Sequence, residues 1–143
     1  ILAFMWSGVF SLYIVNNIGF FKYTAIAHAL SPNENGYKKY SQRAAQCIGD
    51  HPDTFSDTHG SPILGMVWTA IGAGVHQDAF RKLMDHNRWW FTLARCPDGS
   101  YYYQPNRDNN PQDYTAAPRL SATAATALIL LMKDSRLEMM TNH

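Results

Sequence analysis

Two stretches of this chain hold side chains whose types and spacing could carry chemistry. The first, Gly49 to Ser61, contains His51, Asp53, Asp57, Thr58 and His59. A carboxylate close to an imidazole can orient it as a general base, so Asp57 with His59 reads as a proton-transfer pair. More often such residues simply cap a helix, and Asp57, Thr58 and Ser61 are placed to cap one that opens at Pro62. The second stretch, Cys96 to Ala117, holds Tyr101, Tyr102, Tyr103, Gln104, Asn106, Arg107, Asp108, Asn109, Asn110, Asp113 and Tyr114. Aromatic rings beside amides and carboxylates suit a sugar-binding surface, where rings stack on apolar sugar faces and amides meet hydroxyls. In a catalytic reading the proton-transfer groups are Asp57, His59, Tyr101 and Asp113. In a binding reading the ligand meets Trp68, Tyr102, Tyr103, Asn106, Arg107, Asp108 and Tyr114.

Other chemistries are not signalled. Cys47 and Cys96 lie far apart and form no Cys-x-x-Cys pair, which argues against a cysteine zinc site and leaves two buried free thiols as the expectation. No metal or other cofactor is expected. Lys and Arg number 12 against 11 Asp and Glu, so a net charge of +1 gives a polyanion nothing to hold and nucleic acid is not an expected partner. With 143 residues, 46% of them hydrophobic, the chain can bury one core but not two, and residues 1–143 read as a single domain. The apolar run Ile1 to Val15 falls short of the roughly 20 residues a membrane span needs and is expected to be a buried core helix, with a truncated signal or anchor segment as the alternative. Because the first residue is Ile1, a processed product or part of something longer is expected.

The elements that must position these groups are all helical. Pro, Gly and Asn cut the sequence into helix-length pieces with no alternating strand pattern. Asn16 and Asn17 can cap a helix from Gly19 to Leu30, with Ser31-Pro32 as its stop. Over Gly36 to Ile48, Tyr37, Tyr40, Ala44, Cys47 and Ile48 recur at helical spacing while Lys38, Lys39, Gln42, Arg43 and Gln46 occupy the opposite side, with Gly49 expected at the left-handed closing position. Ile63 to Ala73 carries no charge. Gln77 to Arg95 sets Phe80, Leu83, Met84, Asn87, Trp90, Phe91 and Ala94 against Arg81, Asp85, Arg88, Thr92 and Arg95, with Arg81 and Asp85 as an i, i+4 pair. Pro118 opens a last helix through Met132 that is apolar or small almost throughout and is expected to be buried nearly all round.

Helices apolar on every side thus alternate with helices that have one polar face. A two-layer array of helical hairpins produces that order, because an inner helix touches neighbours on most sides while an outer helix meets water on one. Inner-to-outer links are short, at Ser31 to Asn35 and Gly74 to His76. Outer-to-inner links are long, at 49–61 and 96–117, and hairpin geometry places both on one face together with the N-termini of the inner helices. Asp98-Gly99 reads as the turn that starts the second of them.

The run Arg88-Trp89-Trp90-Phe91-Thr92-Leu93-Ala94-Arg95-Cys96-Pro97-Asp98-Gly99-Ser100-Tyr101 resembles the QW repeat of squalene-hopene cyclases, with Arg95 at the usual Gln place and Tyr101 at the usual Trp. With His59-Gly60-Ser61-Pro62-Ile63-Leu64-Gly65, Trp68 and Gly72 it is similar to the C-terminal toroid of large uncharacterised bacterial proteins of the terpenoid cyclase and protein prenyltransferase superfamily. The resemblance implies an all-α, α/α toroid-like array of about three helical hairpins, part of a larger ring. The cyclases' Asp-x-Asp-Asp acid is missing, and no cysteine accompanies Asp57 and His59 to complete a prenyltransferase zinc set. The expected function is therefore a non-catalytic binding or structural domain of a larger bacterial protein, exported or in the cell envelope. It would use the face of the loops 49–61 and 96–117 to contact the remainder of the same polypeptide, another protein subunit or a glycan. The alternative is an enzyme acting on an isoprenoid-like substrate, or on polysaccharide like the toroidal lyases that this architecture resembles.

Overall fold

The computed structural model describes residues 19–31, 36–55, 62–102 and 118–132. Within them lie six α-helices: α1 (Gly19–Ala29), α2 (Tyr37–Asp50), α3 (Pro62–Gly74), α4 (Gln77–His86), α5 (Arg88–Ala94) and α6 (Pro118–Met132). A 3-10 turn, Pro52–Thr54, follows α2. The described residues hold no strand beyond one isolated antiparallel bridge, Arg95 to Tyr101. The all-α class is therefore observed. The expected helix over Ile1 to Val15, the Asn16 and Asn17 cap and the Pro32 stop lie outside the described residues.

The helices pack in two rows. α3 contacts α1 on one side and α6 on the other, while α2 contacts α4, and the hairpins α1–α2 and α3–α4 join the rows. Amphipathicity explains the outer row. α2 buries Ser41, Ala44, Ala45, Ile48 and Gly49 and leaves Lys38, Lys39, Gln42, Arg43 and Gln46 in water, and α4 buries Ala79 and Leu83. Fully burying a side chain such as Ile48 or Leu83 contributes about 1.5–3 kcal/mol. The Ser41 hydroxyl donates to the Ala25 carbonyl at 2.7 Å, which ties α2 to α1. Gly36, at φ +77°, makes the left-handed entry into α2 that suits a residue without a Cβ.

Several expectations need correction. The single helix over Gln77 to Arg95 is two, broken at Asn87. There the buried Asn87 amide donates to the Leu83 carbonyl at 2.9 Å and to the Pro52 carbonyl at 2.8 Å, competing with the regular backbone ladder. The charge pairing differs too: Arg81 meets Asp78 at 3.7 Å, and Asp85 meets Arg88 at 2.8 Å, in place of the Arg81–Asp85 pair. Gly49 is not a left-handed cap but a helical residue of α2; an added Cβ would come within 2.6 Å of the Ala79 Cα, so its role is to let α2 and α4 approach. Gly72 does the same for α3 against the backbone of Lys22 on α1. The two cysteines are free, and both are half-buried rather than buried.

The inner row departs from expectation most. α6 was expected to be enclosed, yet it buries only Ala122, Ala125, Thr126, Ile129 and Met132 and exposes Leu120, Ala124, Ala127, Leu130 and Leu131. Leu120, Ala124, Ala127 and Leu131 recur at helical spacing on the side opposite its packed face. α1 likewise exposes Tyr23 and Ala27, and α3 exposes Leu64 and Trp68.

Candidate functional site

Of the residues assigned chemistry from sequence, Asp57, His59, Tyr103, Asn106, Arg107, Asp108, Asp113 and Tyr114 lie outside the described residues. Residues 51–55 of the first connection and 96–102 of the second are described. The first runs from α2 through Pro52–Thr54 to Phe55, which is buried against Phe91 of α5 with ring centroids 5.9 Å apart. His51 turns back onto α2, its Nδ1 donating to the Cys47 carbonyl at 2.9 Å. The Cys47 sulfur lies 3.9 Å from the same nitrogen, which is occupied as a donor and cannot take the thiol proton. Burial, and then Asp50, push the Cys47 thiol up from its ordinary value, so it stays protonated and is a poor nucleophile.

The second connection starts as a tight hairpin. Cys96 N–H donates to the Ser100 carbonyl at 2.7 Å, Gly99 N–H to the Cys96 carbonyl at 2.9 Å and Tyr102 N–H to the Ala94 carbonyl at 2.7 Å, with Gly99 left-handed at φ +85°. The Asp98-Gly99 turn is thus where the sequence placed it. Asp98 accepts from the Ser100 hydroxyl at 2.6 Å and the Ser100 N–H at 3.0 Å through one oxygen, and from Arg119 of α6 at 2.6 Å through the other. Arg119 also donates to the Ser100 hydroxyl at 2.6 Å. Tyr101 N–H donates to the Thr123 hydroxyl at 2.9 Å, and that hydroxyl donates to the Arg119 carbonyl at 2.6 Å. The Ser100 hydroxyl first, then its N–H and the guanidinium, hold the Asp98 carboxyl below its ordinary value. Tyr101 is half-buried against the core, so its described role is to fasten this turn to α6. Sequence reading missed Arg119, Ser100 and Thr123. The available signal was an Asp two residues before a Ser, an Asx-turn pattern.

Trp68 is 40% exposed, halfway along α3, with Leu64 one turn before it and the Tyr23 ring 6.0 Å away. Buried Lys22 places its ammonium 5.7 Å from the Tyr23 ring centre. These aromatics belong to the inner row rather than to the tyrosine-rich connection. Polarity divides the rows sharply. Among the described residues, the exposed side chains of α1, α3 and α6 are apolar except for Arg119, whereas α2 and α4 expose Lys38, Lys39, Arg43, Asp78, Arg81, Lys82 and Asp85.

An open recess of about 540 Å³ lies between α2 and α4, lined by Gln46, Asp50, His76, Asp78, Arg81 and Lys82. Its charges are paired within it: Lys82 meets Asp50 at 2.7 Å and Arg81 meets Asp78 at 3.7 Å. The hydrogen bond from Lys82 holds the Asp50 carboxyl below its ordinary value. Among the described residues no three His, Cys, Asp or Glu side chains gather where they could hold a metal ion, and no helix is long and apolar enough to cross a membrane.

The profile of a family described as "Domain of unknown function (DUF6288)" matches residues 12–139. No curated protein and no solved structure matches the chain.

Proposed function

Since this chain belongs to the DUF6288 family, whose description assigns no activity, we propose from geometry alone that it is a non-catalytic assembly domain whose apolar inner row docks against a larger structure. That structure is the remainder of a larger α/α ring of the terpenoid cyclase and prenyltransferase type, supplied by the same polypeptide or by another subunit. The proposed contact extends to the connections 49–61 and 96–117, on the strength of the aromatic, amide and charged side chains in their sequence. One observation carries the reading: apart from Arg119, the exposed side chains of α1, α3 and α6 are apolar, Tyr23, Leu64, Trp68, Leu120 and Leu131 among them, while the outer row is charged. Large apolar side chains exposed along three neighbouring helices favour an interaction site over a solvent boundary. The order of contacts supports the ring, since each inner helix meets the next and each described hairpin reaches across to the outer row.

Hydroxyl-radical footprinting of the isolated chain and of the native assembly, purified from its source through a tag, tests this. Tyr23, Trp68 and Leu131 should be labelled readily in the isolated chain and protected in the assembly. Equal labelling of all three in both samples would overturn the reading.

A further inference from the structure

The outer side of α2 carries more positive charge than its surroundings neutralise. Its three cations, Lys38, Lys39 and Arg43, are all exposed, and its single carboxylate, Asp50, is held by Lys82 of α4 at 2.7 Å. Neighbouring charges are spent on one another: Arg81 on Asp78, Arg88 on Asp85 and Arg119 on Asp98. Among the described residues, Lys38, Lys39 and Arg43 have no ion pair. A net charge of +1 averages this excess away, so the total for the chain concealed a surface that attracts anions. Lys38 and Lys39 also stand in the first turn of α2, which holds no acidic residue, where positive charge opposes the helix dipole. A bound anion would offset that cost.

Helical spacing sets the rest of this face. Arg43 follows Lys39 by one turn, exposed Gln42 follows Lys38 by one turn, and Tyr40 adjoins Arg43 at i, i+3. Tyr40 is 53% exposed. Its ring is braced by His28 of α1, 5.9 Å away between centroids, and His28 in turn stacks on Tyr37 at 5.2 Å. We infer that this face binds a uronate-bearing oligosaccharide. The sugar carboxylate meets Lys39 and Arg43, the apolar side of a sugar ring lies on Tyr40, and a hydroxyl meets the Gln42 amide. An acidic peptide would use the cations but leave the ring and the amide idle, and a nucleic-acid strand asks for a longer basic track than two turns of one helix supply. The face belongs to the outer row, so the inference does not rest on the docking of the inner row.

Calorimetric titration of the full 143-residue chain with a galacturonate tetramer is the test. Two controls divide the chemistry: the methyl-esterified tetramer keeps the sugar and loses the charge, while a tetraglutamate peptide keeps the charge and loses the sugar. The galacturonate tetramer should bind, and each control should bind about fivefold more weakly or less. Arg43→Gln and Tyr40→Ala should each weaken binding of the tetramer by about fivefold without moving the melting temperature. Lys39→Gln, at another exposed position, repeats the measurement should Tyr40→Ala disturb the fold. No binding of the galacturonate tetramer, a control that binds as tightly, or wild-type affinity in both Arg43→Gln and Lys39→Gln would overturn the inference.

Discussion

Thr126 is 1% exposed, and its hydroxyl has no hydrogen-bond partner among the described residues. A buried hydroxyl that has left water without finding an acceptor costs stability, so Thr126→Val, similar in shape, should stabilise the chain by about 1 kcal/mol, read as a higher denaturant midpoint. Asp98 has the opposite character, with every oxygen engaged. Its carboxyl titrates below its ordinary value, so its contribution is complete above the normal carboxylate range and disappears as pH drops through the lowered value. Asp98→Asn should accordingly lower the melting temperature at neutral pH, and wild type and variant should converge in strong acid; a gap that persists there would contradict the assignment. The tryptophan pair shows how position in a helix outweighs residue type. Trp90 is 7% exposed inside the core while its neighbour Trp89 is 53% exposed, one step round the same turn.

Close approach decides which elements touch. A Cβ on Gly49 would sit 2.6 Å from the Ala79 Cα, and one on Gly72 would sit 2.8 Å from the Lys22 Cα, so in each case backbone must shift. Gly49→Ala and Gly72→Ala should each destabilise by about 1–3 kcal/mol, measured by chemical denaturation, despite the better helix propensity of Ala. Leu83→Ala, emptying the centre of α4, should cost about 2–5 kcal/mol in the same assay. The buried side of α4 and α5 was legible in the spacing of Phe80, Leu83, Asn87, Trp90 and Ala94. The break between them was not, because one of the two carbonyls that Asn87 binds belongs to Pro52, 35 residues earlier. Gly49 misled for a related reason: a glycine before a turn suits a left-handed cap locally, and only the packing of α4 reveals the other use.

Across the whole molecule, the alternation of apolar and amphipathic helices marked α2 and α4 as helices with charged exposed faces, because polarity records which helices meet water. It overstated the enclosure of α1, α3 and α6, since a sequence pattern shows that a face is apolar without showing what covers it. Trp68→Glu should therefore leave stability within about 0.5 kcal/mol, as at other exposed positions, while reducing self-association of the isolated chain in sedimentation at high concentration. Unchanged association would remove Trp68 from the sticky surface. The candidate residues of the two long connections were legible only as types, because no local periodicity fixes where such side chains go. One arrangement at the second connection has a different reach. Tyr101 N–H is bonded to Thr123 and Asp98 to Arg119, so the turn Cys96–Tyr102 and the start of α6 hold one another through two separate contacts. Loosening one partner is therefore felt at the other: Arg119→Gln should speed hydrogen exchange at the Ser100 and Tyr101 amides, which otherwise stay shielded inside the clasp.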